Sequence, residues 1–106
     1  METQLNRGLK RRLMYVENKD GEIDGAHGRI GWVTFSRSGQ TVYYLGKELA
    51  KAKGGGLRGN FFDCATGEEY WVSGVKKRGT NAHWAENVAI AVDADARDAY
   101  HVLRSS

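Results

Sequence analysis

Turn signals interrupt this chain so often that only short, locally ordered elements can form before its C-terminal segment. Fourteen glycines and no proline are spread over 106 residues. The runs between them are rich in β-branched and aromatic residues, which favour strands. Leu13–Glu17 (LMYVE) is the first such run. Asn18–Gly28 (NKDGEIDGAHG) follows, and its two Asp-Gly pairs predict turns and a loop. Arg29–Phe35 (RIGWVTF) alternates, with Ile30, Trp32 and Thr34 opposing Gly31, Val33 and Phe35. Ser36–Gly39 then connects it to Thr41–Leu45 (TVYYL). Two alternating runs joined by a short Gly-containing link predict a hairpin.

A second hairpin is predicted from Asn60–Cys64 (NFFDC) and Glu69–Val75 (EYWVSGV), linked through Ala65–Glu68. Between the hairpins, Lys47–Lys53 (KELAKAK) reads as one or two helical turns, too short to be stable alone. Gly54–Gly59 (GGGLRG) breaks any helix there. Lys76–Thr80 is an exposed basic turn, and His83-Trp84 reads as a bridge or a loop anchor. Val88–Val92 is a short strand. Asp93 fits a helix N-cap, and Ala96, Ala99, Tyr100 and Leu103 share one apolar face of a helix over about residues 93–104. The expected fold is mainly β: five or six short antiparallel strands in a small SH3-like or OB-like, partly closed barrel with one C-terminal helix.

Bulk properties bound the function. The length suits one domain, read as residues 13–106 behind a flexible basic arm, residues 1–12. One cysteine excludes an internal disulfide. No apolar run approaches a membrane span or a signal peptide, so a soluble cytoplasmic protein without membrane partners is expected. The net charge of +3 belongs to the arm, since four Lys/Arg and one Glu fall in Met1–Arg12 and the remainder carries 12 of each sign.

Chemical motifs are weak. Gly54, Gly56 and Gly59 match G-x-G-x-x-G, with Lys51, Lys53 and Arg58 beside them, but the dinucleotide fingerprint needs a strand before and a helix after. A flexible connection is the plain reading, and an anion-contacting loop the sharper one. His27, His83, His101 and Cys64 lack the close spacing of structural metal ligands, and Cys64 reads as a small apolar filler. No catalytic, cofactor or metal residue is assigned. Aromatics interleaved with cations remain. Trp32, Tyr43, Tyr44, Tyr70 and Trp71 could form a stacking platform, and Lys76, Lys77 and Arg78 close the Tyr70–Val75 strand. The leading expectation is a non-catalytic binding or interaction module. A nucleic-acid binder, drawing also on Arg29 and Lys47, is the alternative, and a phosphate-handling enzyme comes last.

Gly28–Ser36 (GRIGWVTFS), Thr41–Leu49 (TVYYLGKEL) and Gly67–Lys77 (GEEYWVSGVKK) resemble a family of small, uncharacterised bacterial β-rich proteins over about Leu13–Trp84. The resemblance implies a stand-alone β-rich domain and carries over no activity. Some relatives bear a 1-deoxy-D-xylulose-5-phosphate synthase label. A thiamine-diphosphate enzyme needs a far longer chain and a Gly-Asp-Gly metal-diphosphate motif, and this sequence has neither.

Overall fold

The computed structural model describes residues 9–53, 59–84 and 89–105. Among the described residues seven strands form: β1 (Lys10–Asn18), β2 (Gly28–Phe35), β3 (Thr41–Tyr44), β4 (Lys47–Lys51), β5 (Phe61–Asp63), β6 (Glu69–Gly74) and β7 (Ala91–Val92). The first six run up and down, each beside its sequence neighbour, and β6 returns to pair with β1. A closed six-stranded antiparallel barrel results, joined by a meander simpler than the Greek key of an OB-fold. β7 lies outside this ring, parallel to the start of β2. A 3-10 turn (Ala94–Ala96) and helix α1 (Arg97–Arg104) complete the chain. No helix among the described residues is long and apolar enough to cross a membrane.

Both predicted hairpins form, through Thr34↔Tyr43 and Phe35↔Val42 in one and Phe61↔Tyr70 and Phe62↔Glu69 in the other. Closure selects one face of each alternating strand. Val16, Val33, Val42, Tyr44, Leu49, Phe61, Tyr70 and Val72 share the buried core, with Met14 and Phe35 against it. Lys10–Arg12, read from the sequence as the end of the basic arm, belong to β1 as its exposed end. Lys47–Lys51 is a strand and not helical turns. The Leu45-Gly46 turn folds it directly onto β3, and burial of Leu49 outweighs the local helix propensity of Lys, Glu and Ala. Cys64 is exposed in the turn after β5, so it fills no core space.

The outer face is covered on one side by the segment after β6. Glu17, fully buried on that face, accepts the Tyr15 hydroxyl at 2.5 Å and the main-chain N–H groups of His83 and Trp84, each at 2.8 Å. His27 Nε2 lies 3.9 Å away, while its Nδ1 donates to Gly21 C=O at 2.7 Å. Trp71 stacks on His83 with ring centroids 3.7 Å apart. Gly28 makes room for this arrangement, since a Cβ there would lie 2.3 Å from the Tyr15 hydroxyl oxygen. The His83-Trp84 patch is therefore an anchor through its main chain. On the far side, Arg104 Nη1 donates to the carbonyls of Lys76 and Gly79, both at 2.9 Å, and ties α1 to the same segment.

Two outcomes follow from these burials. Glu17→Ala strands a hydroxyl and two amides, each costing about 1–3 kcal/mol when buried unpaired. The variant should lose about 3–5 kcal/mol in denaturant unfolding, and a loss under 1 kcal/mol would show that the carboxylate does not anchor the segment. The second outcome concerns alkaline pH. Burial, then the Glu17 hydrogen bond and charge, push the Tyr15 hydroxyl well above the ordinary tyrosine range. Burial, then Asp93, act likewise on Tyr44. Burial and the charges of Glu68 and Asp63 raise Tyr70 to about 12. Unfolded tyrosines ionise near pH 10, so above that pH the unfolded chain releases protons that the folded one keeps. The contribution of the three tyrosines should be constant below pH ~10 and then fall by up to about 1.4 kcal/mol per pH unit for each of them. Between pH ~10 and pH ~12 tyrosinate absorbance from these residues should appear only with unfolding. Reversible ionisation of all three near pH 10 in the folded protein would contradict this.

Candidate functional site at the opened β2–β3 seam

Only two residue pairs join β2 to β3 before the strands part, and β7 takes the vacated edge of β2 at Arg29 and Ile30. The opening between them is a cleft of about 780 Å³. That size lies within the roughly 300–1,000 Å³ of ordinary ligand sites. Trp32 and Thr34 form one wall, Tyr43 to Glu48 the other, and Asp93 to Asp95 the end, with Leu9 at the rim.

Asp93 forms the floor. Its Oδ1 accepts Arg29 Nε at 2.9 Å and its Oδ2 accepts the Tyr44 hydroxyl at 2.6 Å. Arg29 Nη1 also donates to Asp24 C=O at 3.0 Å and, more weakly, to Ile23 C=O at 3.4 Å. Burial works against the Arg29 charge, but the hydrogen bond and charge of Asp93, then Tyr44, raise its pKa above the ordinary arginine value. Gly31 is needed here, because a Cβ at that position would fall 2.0 Å from Asp93 Oδ2. Asp93 precedes the 3-10 turn as expected, yet its side chain caps nothing. The stronger charged partner across the barrel has captured it. With both carboxylate oxygens engaged and burial favouring the neutral Tyr44 phenol, this trio links β2 and β3 to the segment after β7.

The rim is different in character. Trp32 donates its indole N–H to Asp95 C=O at 3.0 Å, and the Arg11 guanidinium lies 4.5 Å from its ring. Tyr43 is 38% exposed and Leu45 48% exposed. Leu45 and Gly46 both have positive φ, at 48° and 77°, the requirement of a type I′ hairpin turn. The same chain builds Asp24-Gly25 at 50° and 88° with a preferred residue pair. Leucine in the left-handed region costs about 1–2 kcal/mol.

The aromatic set is thus divided by strand parity. Tyr44 and Tyr70 point into the barrel, Tyr70 completely, so neither offers a ring to a partner. Trp71 is outside, but His83 covers its ring. Trp32 and Tyr43 remain and share the cleft with Arg29 and Lys47. Lys51, Lys53, Lys76, Lys77 and Arg78 are exposed but do not line it. Gly59 is buried, its N–H donating to Glu69 Oε1 at 3.0 Å, and a Cβ there would lie 2.4 Å from Tyr70 C=O. Close packing against β6 accounts for this glycine. Gly54, Gly56 and Arg58 lie outside the described residues. Sequence reasoning missed Asp93 and Leu45 as site residues. For Leu45 a signal existed: Leu-Gly stands between two β-runs where Asn-Gly or Asp-Gly is usual.

Gly31→Ala should cost about 2 kcal/mol by driving Asp93 out of the seam. In an Asp93→Ala background the same change should cost less, because the carboxylate is gone and only Tyr44 Cε1, 2.9 Å from the added Cβ, still has to give. Equal losses in both backgrounds, measured by chemical unfolding, would dismiss Asp93 as the wedge.

No family model, curated protein or solved structure matches this chain, so its functional reading rests on its own residues.

Proposed function

We propose that the protein is a non-catalytic binding module whose ligand seat is the cleft in the β2–β3 seam. One observation carries this reading: an exposed leucine is held in a strained turn at the rim of an opening of about 780 Å³ in the barrel wall. Strain of this kind costs about 1–3 kcal/mol and clusters where a surface is used. Asparagine would make the same turn with less strain, so the leucine side chain itself is the feature that needs explaining. Together Leu45, Tyr43 and Trp32 provide an apolar and aromatic wall beside fixed polar groups, the usual composition of a binding site.

Nucleic-acid binding has less support. Lys51, Lys53, Lys76, Lys77 and Arg78 do not line the cleft, Arg29 is paired with Asp93, and Arg11 and Lys47 at the open rings are offset by Asp95 and Glu48. Phosphate-rich ligands would meet carboxylates beside the aromatic wall.

Titration of the isotope-labelled full chain with indole, phenol and N-methylacetamide tests the reading. The probes should shift the resonances of the Trp32 indole N–H, Thr34 and Leu45. Leu45→Asn should raise stability by about 1 kcal/mol and weaken those shifts. Probe shifts confined to other surfaces would overturn the assignment. So would steeply salt-dependent binding of a single-stranded oligonucleotide at Lys51 or Lys76–Arg78.

A further inference from the structure

Two hydrogen bonds set the direction of the main chain along β2. Ser36 N–H donates to Thr41 C=O, and Ile30 C=O accepts from Asp93 N–H. Main-chain groups alternate between the two neighbouring strands, so the even-numbered residues of β2 face β3 and β7. Thr34 meets Tyr43 on that side, and Ile30 meets Val92. Trp32 lies between them. Extending the β2–β3 register would set Leu45 opposite Trp32, but Leu45 has turned away into the left-handed region and no pair forms. Neither a ladder pair nor a loop hydrogen bond reaches the Trp32 main chain from that side among the described residues. Its N–H and C=O therefore face the cleft as one unfilled register of a β-ladder.

We infer that the cleft takes an extended peptide segment of a partner protein, which forms a single antiparallel β-bridge with Trp32. This inference rests on the cleft being the binding site. A donor and an acceptor on one strand residue, spaced as in a ladder, match the main chain of another extended residue. The segment's apolar side chain then lies among Trp32, Tyr43 and Leu45. Charge makes no selection among such segments: Arg29 pairs with Asp93, Arg11 lies 3.9 Å from Asp95, and Lys47 stands beside Glu48 on the lining.

A degenerate heptapeptide library panned against the full chain provides the probe. The enriched peptide is then remade with one amide N-methylated at a time. Methylation of the amide opposite Trp32 should weaken binding at least tenfold, and methylation of either adjacent amide less than about threefold, because those groups point away. The Trp32 amide resonance should move on binding. Uniform tolerance to N-methylation, or enriched peptides that leave Trp32 unmoved, would overturn the bridge. So would a library that yields no binder, or self-association through the cleft in place of peptide binding. If indole and N-methylacetamide still bind at Trp32 and Leu45 while peptides fail, the peptide assignment falls and the binding cleft stands.

Discussion

A single carboxylate wedged between two strands governs the geometry of this barrel. Asp93 bonds Arg29 on β2 and Tyr44 on β3, residues 64 and 49 positions away in the chain. By occupying the space over Gly31, it stands where a β2–β3 ladder would otherwise continue. Because Asp93 N–H also bonds Ile30 C=O, the same residue docks β7 on the vacated edge of β2. Opening the seam, attaching the C-terminal segment and shaping the cleft are one event. The charge pair is largely enclosed, its side chains 17% and 11% exposed, and its groups are hydrogen-bonded, which is the condition for a buried ion pair to be tolerated.

Glu17 has the matching role on β1, along the other edge of β2. It gathers two main-chain amides and a tyrosine hydroxyl, so the segment after β6 lies against β1 without a ladder of its own. Small barrels bury little surface and depend on such fastenings. Here two acids outside the apolar core hold the covering chain, while the core itself is an ordinary set of aliphatic and aromatic side chains. The glycines at 28 and 31 belong to the same design. Each removes a Cβ that would meet a polar atom at 2.3 or 2.0 Å.

Local pattern made much of the fold legible. Alternation located β2, β3 and β6, and turn residues located both hairpins. It failed at Lys47–Lys51, where composition favours a helix and only pairing with β3 and β5 makes a strand. Among the site residues, Trp32 and Tyr43 were legible as strand aromatics, and the Leu-Gly turn was there to be noticed. Asp93 was not, because at a helix start an N-cap and a long-range ion pair use the same residue type. Cys64 misled for a related reason: a small side chain is assigned to the core by habit, whereas its place in a turn exposes it.

The sequence alone determined the periods: where strands run, where the chain turns, and that consecutive aromatics such as Tyr43-Tyr44 and Tyr70-Trp71 divide between two faces. These are consequences of two-residue repeat and local backbone preference. Which face became the interior was decided only when β6 met β1 and closed the ring, sending Tyr44 and Tyr70 inward. The partners of Asp93 and Glu17 were decided there too. A charged side chain pairs with whatever the fold brings within hydrogen-bond reach, and nothing in its own neighbourhood along the chain encodes residues dozens of positions away.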